Sequence, residues 1–212
     1  MALNACRHGK TEGRIMTSIS PSESLQGEAL ITAICDIFSH HGGEEYLGEP
    51  VTMAEHMLQS AHFAAEAGAD EETIIAALIH DIGHFTSTHG AFTMQDTKDR
   101  YHEDAGAVLL EGAFPDSVVA CVKHHVAAKR YLCAVDEAYH AGLSEASKHS
   151  LTLQGGAMDA QECQDFANHP HLEQILLVRR CDDQGKIAGL SVPPLEHYLP
   201  MMRRVLASTT RH

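Results

Sequence analysis

Ala76-Ala77-Leu78-Ile79-His80-Asp81-Ile82-Gly83-His84 is an apolar helical run that ends abruptly in three side chains able to bind metal. On a helix, adjacent residues such as His80 and Asp81 point about 100° apart, so both can hold one cation only if further ligands converge from other helices. The pair is half a site. His56 upstream and His102, His125 and Asp182 downstream, each in a segment with helical character, are the candidates for the other half.

Upstream, Ser20-Pro21-Ser22-Glu23 is a helix start, with Ser20 as cap, Pro21 in the first turn and Glu23 closing a capping box. That helix is expected to run to Phe38 and stop at His40-His41-Gly42-Gly43. The stretch from Glu44 to Pro50 has no periodicity and reads as a loop. Thr52 and Glu55 form a second capping box, opening a helix that carries His56, and Asp70 caps the next. That next helix, with Ile74, Ile75, Leu78, Ile79 and Ile82, is apolar nearly all round, so it should be the buried centre of the fold, with His80 and Asp81 near its end.

Downstream, Phe85 to Arg100 is polar and aperiodic, the longest expected loop, and able to cover a site. Helices are expected from about Tyr101 to Gly112, from Pro115 through His125 and Lys129 as far as His140, and from Leu143 to Leu153. After the Gln154-Gly155-Gly156 turn they follow from Asp159-x-x-Glu162, from Leu172 to Asp182 and from Pro194 past Met202. No pair of alternating strands and no repeat is visible. The reading is an all-α, bundle-like domain of eight or nine helices spanning 21–212, preceded by a disordered leader at 1–20.

The chain's 212 residues, 44% hydrophobic, suffice for one domain with a substantial core. No segment approaches a membrane span, and the first twenty residues lack the apolar core of a signal peptide. Six cysteines without a C-x-x-C pair argue against a zinc knuckle or redox motif and fit reduced thiols in a cytoplasm. A formal charge of −14 with no basic cluster argues against nucleic acid. A small anion could still bind where metal ions and a few cations supply positive charge.

Histidine is the outlier, with 17 in the chain. A single histidine is more often a satisfied polar residue than a ligand; His80-Asp81 combined with His56 and Asp182 reverses that balance. Four imidazoles and two carboxylates suit iron or manganese with open positions better than a closed structural zinc. His56, His80, Asp81 and Asp182 are enough for one metal. His102 and His125 would allow a second if Asp81 bridges. His84, one turn beyond His80, could touch substrate without binding metal, and Lys129 shares a helix face with His125.

These residues resemble the PhnZ-type HD-domain diiron oxygenases, distant relatives of myo-inositol oxygenase. The resemblance runs from about Glu45 to Met202. It is carried by Tyr46-Leu47-Gly48-Glu49, the Ala76 to His84 block, Tyr101-His102-Glu103, the run from His125 to Leu132, Leu143 to Ser147, Gln154 to Asp159, and Pro194 to Tyr198. It implies a mixed-valent Fe(II)/Fe(III) pair that uses O2 to cleave the carbon–phosphorus bond of a 1-hydroxyphosphonate, releasing phosphate and a carboxylate. It assigns His56, His80, Asp81 and Asp182 to one iron and Asp81, His102 and His125 to the other. It places Tyr46, Glu49, His84, Lys129, Ser147 and Gln154 at the substrate, His84 and Lys129 with catalytic roles, and couples the protein functionally to an enzyme that hydroxylates the parent phosphonate. The loop from Phe85 to Arg100 departs from the family pattern and leaves the substrate's amino end open. The trimethylammonio compound, giving glycine betaine, is favoured over the primary amine, giving glycine. The competing reading is a metal-dependent HD phosphohydrolase.

Overall fold

The computed structural model describes residues 25–46, 48–86, 98–99 and 101–209. Among them are eleven helices and no strand, nine of the helices seven residues or longer. The expected eight or nine fall short because two short helices, Gly83–Thr86 and Glu137–Gly142, carry too few turns to show a period. The reading of an all-α domain is borne out.

Helix α1 spans Glu28–His41. It does not include the residues just before it: Leu25 and Gln26 are irregular, and Gly27 takes φ +57°, a backbone angle outside helical geometry that glycine adopts freely. The capping box at Ser20 and the expected leader lie outside the described residues. The loop to Pro50 carries one antiparallel bridge, between Glu45 and Thr52.

Helix α2, Met53–Glu66, opens with the capping box read from sequence: Thr52 Oγ1 accepts from the Glu55 amide, and the Glu55 carboxylate accepts from the Thr52 amide. Such a cap contributes about 1 kcal/mol. Helix α3, Glu71–Ile79, is capped by the Asp70 carboxylate, and every residue from Thr73 to Ile79 is buried. It packs on α2, on α6 (Asp116–Val135), on α10 (Leu172–Gln184) and on α11 (Leu195–Thr209). That central position explains its all-round hydrophobicity. Replacing a fully buried Leu78 or Ile79 by alanine there would cost about 2–5 kcal/mol.

The helix stops at His80, and Asp81 and Ile82 form a turn leading into α4, Gly83–Thr86. Phe85 and Thr86, expected in the long loop, therefore belong to a helix; 87–97 and Arg100 lie outside the described residues. Gly83 is obligatory here: a Cβ would stand 1.8 Å from the His102 carbonyl oxygen and 2.6 Å from the Gly106 amide nitrogen. The bare backbone lets α4 press against α5, His102–Leu110.

Helix α6 ends at Val135 rather than reaching His140. Asp136 leaves helical geometry, at φ −138° and ψ +98°, and its carboxylate caps α7, Glu137–Gly142. Ser144 caps α8, Glu145–Leu153, and Asp159 with Glu162 closes the anticipated capping box on α9, Ala160–Phe166. No helix among the described residues is long and apolar enough to cross a membrane. The five described cysteines are all free.

Candidate metal centre and substrate cleft

Five elements carry the six candidate ligands to one point. His56 comes from the first turn of α2, His80 and Asp81 from the turn that directly follows α3, His102 and His125 from α5 and α6, and Asp182 from the last turn of α10. All six are buried. The Asp81 carboxylate lies between two pairs of imidazoles. Its Oδ2 is 3.5 Å from His56 Nε2 and 3.4 Å from His80 Nε2, whereas its Oδ1 is 3.3 Å from His102 Nε2 and 3.4 Å from His125 Nε2. Asp182 joins the first pair, 3.5 Å from His56 Nε2 and 3.8 Å from His80 Nε2.

The outward-facing ring nitrogens fix the protons. Nδ1 of His56 lies 2.9 Å from the Gly185 carbonyl, that of His80 2.9 Å from Ala77, and that of His125 2.7 Å from Val122. A carbonyl only accepts, so each Nδ1 carries the hydrogen and each Nε2 offers its lone pair to the centre. Glu103 Oε2 stands 3.3 Å from Nδ1 of His102. Gly185 is part of this arrangement, since a Cβ there would lie 2.9 Å from the His56 carbonyl and 2.6 Å from Ser60 Oγ.

Lone pairs facing one another need a positive charge between them. His56 Nε2 and His80 Nε2 are 3.1 Å apart, His102 Nε2 and His125 Nε2 2.9 Å, and the buried atoms Asp81 Oδ2 and Asp182 Oδ1 have no hydrogen-bond partner among the described residues. Two groups, His56-His80-Asp81 and Asp81-His102-His125, bring one ligand atom each to within 4.8 Å of one another. The donor set therefore fits two cations that share Asp81. With protons alone, burial opposes charge at His80, yet Asp81 and Asp182 beside it raise its pKa to about 9. Burial and the neighbouring His102 and His80 hold His125 down to about 4 against the pull of Asp81. Burial works against charge at Asp81 too, but the imidazoles around it keep it well below the ordinary carboxylate range.

Arg179, one turn before Asp182, holds that ligand in place. Its Nη1 is 2.5 Å from Asp182 Oδ2, while Nε and Nη2 grip Asp183, itself bonded by the Tyr139 hydroxyl at 2.5 Å.

Beside the candidate metal cluster opens a cleft lined by Tyr46, Glu49, His84, Lys129, Ser147, Gln154 and, among others, Arg179 and Lys186. All six substrate residues anticipated from the resemblance thus face the same space. His84 stacks on His102, ring centroids 4.0 Å apart, neither ring nitrogen has a hydrogen-bond partner among the described residues, and burial keeps it neutral. Lys129 donates to Ser150 Oγ at 2.7 Å, and burial, reinforced by Arg179, lowers its pKa to about 7. Tyr46 stacks on His56, with centroids 3.7 Å apart. Glu49 accepts from the Ser144 hydroxyl at 2.5 Å. The Gln154 turn is held from α6: Arg130 Nε donates to the Gly156 carbonyl, and its guanidinium pairs with Glu162.

Ser150, Arg179 and Lys186 were not among the anticipated cleft residues. Arg179 and Ser150 carry a faint signal, each one turn from a candidate residue on its helix. Lys186 carries none, since only the end of α10 turning back over Ser147 brings it in.

The HD domain family matches residues 53–155, the span from the start of α2 to the Gly155 turn. The chain is 55% identical over 177 residues, 84% of its length and 90% of the relative's, to a [1-hydroxy-2-(trimethylamino)ethyl]phosphonate dioxygenase (glycine-betaine-forming) of Leisingera caerulea. It is 41% identical over 169 residues, 79% of its length and 84% of the relative's, to a hydroxymethylphosphonate dioxygenase of Gimesia maris. Because both relatives are matched over more than three quarters of this chain, at 55% and 41% identity, this chain belongs to the HD-domain family of hydroxyphosphonate dioxygenases, as its sequence resemblance implied.

Proposed function

We propose that the enzyme uses O2 and a pair of iron ions to convert (R)-1-hydroxy-2-(trimethylammonio)ethylphosphonate to glycine betaine and phosphate. The observation that carries the reading is the double cluster about Asp81, which opens onto a cleft holding both cations and a carboxylate. The choice of a trimethylated amine is supported by the 55% identity to a relative named for that substrate. The reaction balances without a reductant: the hydroxyphosphonate dianion and O2 give the carboxylate, hydrogen phosphate and one proton. The C1–H and C–P bonds break and C1 becomes the carboxyl carbon.

His56, His80, Asp81 and Asp182 would hold one ion and Asp81, His102 and His125 the other. Bound there, iron would supply the redox chemistry with O2 and Lewis-acid polarisation of the substrate hydroxyl. The chain supplies position and charge. Lys129, one turn from His125, would face the phosphonate, with the Ser147 hydroxyl and the Gln154 side-chain amide lining the same cleft. His84, kept neutral by burial and stacked on His102, would take the proton of the 1-hydroxyl. The low pKa of empty Lys129 rises when a dianion arrives, so phosphonate binding brings a proton with it. An enzyme that hydroxylates the parent phosphonate must supply the substrate.

The test is to incubate iron-loaded protein with the trimethylated and primary-amine hydroxyphosphonates, with and without O2. Glycine betaine and phosphate should appear together, one of each per O2 consumed, and only in air. Phosphate release in nitrogen at the aerobic rate would instead identify a hydrolase.

A further inference from the structure

Lys186 follows directly on Gly185, where α10 ends, and its ammonium occupies a built cation site. Nζ donates to Ser147 Oγ at 2.8 Å, lies 3.4 Å from Glu49 Oε1, and sits 5.8 Å from the centroid of the Tyr46 ring. The side chains of Lys186 and Glu49 are each only 11% exposed. A carboxylate and an aromatic face attract any ammonium ion, primary or quaternary, and the hydroxyl adds an acceptor for one that carries N–H donors. The cleft's other cations are differently engaged: Arg179 is held by Asp182 and Asp183, and Lys129 bonds the Ser150 hydroxyl.

We propose that Lys186 is an internal placeholder for the substrate's ammonium and thereby determines specificity. This rests on the hydroxyphosphonate reading above. A zwitterionic substrate enters by exchange: its ammonium takes the place of Lys186 Nζ against Glu49 and Tyr46, and Lys186 turns to its phosphonate. Every charge then keeps a partner. A hydroxyphosphonate without an amine, such as hydroxymethylphosphonate, can draw Lys186 to itself only by leaving the mostly buried Glu49 carboxylate without a cation, which is the costly outcome for a buried pair. The pocket discriminates through the charge it would strand.

The test compares both substrates on iron-loaded wild type, Glu49→Gln, Lys186→Met and Lys186→Arg, by phosphate release and by anaerobic calorimetric binding. Glu49→Gln should weaken the trimethylated substrate about tenfold or more, mainly through KM, while hydroxymethylphosphonate improves severalfold. Lys186→Met should weaken both by about tenfold or more, and Lys186→Arg should restore most of the loss. Equal losses on both substrates in Glu49→Gln, or Lys186→Met within twofold of wild type on both, would overturn the exchange while leaving the oxygenase reading intact. Should Lys186→Met fail to load iron, the sign of the hydroxymethylphosphonate change in Glu49→Gln decides alone, because that variant keeps Lys186. A wild type inert towards both compounds in air sinks the oxygenase reading, and this inference with it.

Discussion

Nε2 of His102 and Nε2 of His125 lie 2.9 Å apart, and Asp81 Oδ1 is within 3.4 Å of both. The equivalent relationship on the other oxygen of Asp81 joins His56 and His80. One carboxylate thus lies between two groups of candidate ligands, and if it bridges two ions the metal content of variants should show it. Wild type should carry two ions per chain by elemental analysis. The double variant His102→Ala, His125→Ala should keep one and Asp81→Ala should hold neither firmly. Two ions retained in the histidine double variant would remove those residues from the ligand set.

The proton that replaces metal at His80 gives the metal-free protein a defined pH response. A folded-state pKa of about 9 against an ordinary 6.5 means that its stabilising contribution is complete below pH 6.5 and disappears as pH rises towards 9. His125, held down to about 4, adds a cost only as pH falls below 6.5. The melting temperature of metal-free protein should therefore fall between pH 6.5 and 9, and that of the loaded protein should fall less. Calorimetric scans of both forms across that range check this. Parallel curves would show that metal and the His80 proton do not share a place.

Lys129 is 3% exposed and tied to a neutral partner, so removing it leaves no acid stranded in the empty enzyme. Lys129→Met should fold and bind metal normally yet lose about 2–5 kcal/mol of transition-state stabilisation, the scale of a desolvated charge pair. Comparison of kcat/KM with metal content separates the two effects. Wild-type kinetics would take Lys129 out of the phosphonate site.

Tyr46 stacks one ring face on His56 and lies near the Lys186 ammonium, so its ring supports a ligand as well as the cleft. Tyr46→Leu should lose more than Tyr46→Phe on the trimethylated substrate, by up to about 2 kcal/mol if the ring is a cation–π surface. Primary-amine substrate measured alongside isolates that contribution. Identical losses for both amines would leave Tyr46 only its packing on His56.

Gly83→Ala places a methyl group into the backbone of His102 and Gly106, which cannot retreat as a side chain would. The variant should be destabilised by about 1–3 kcal/mol or more and should release metal from the His102–His125 side first. Thermal melts with elemental analysis read both effects. An alanine variant that melts and binds metal as wild type does would contradict the close crossing of α4 and α5.

What was legible in the sequence was local or densely patterned. The boxes at Thr52–Glu55 and Asp159–Glu162 are four-residue signals, and both form as read. The apolar run before His80 announced a central helix because no surface helix tolerates that composition. The breaks were harder. Asp136 turns the chain out of one helix and caps the next, a double role indistinguishable in sequence from one long polar-faced helix. Gly27 delays the start of α1 to Glu28 by a backbone angle, which an interior glycine does not advertise. Six cleft residues were anticipated through family resemblance, whereas Lys186 reaches Glu49 across 137 positions of sequence by a turn that no periodicity encodes.

The last turn of α10 and the two residues after it carry Asp182 to the centre, the Gly185 carbonyl to His56 and Lys186 to the cleft. These are three different controls: one over the charge the site offers a cation, one over which nitrogen of His56 is free to bind it, and one over which ligand the cleft admits. Joined within five residues of rigid backbone, they cannot be adjusted separately. A disturbance of that helix end, whether by a ligand, a neighbouring protein or heat, would change metal retention and substrate choice in the same stroke.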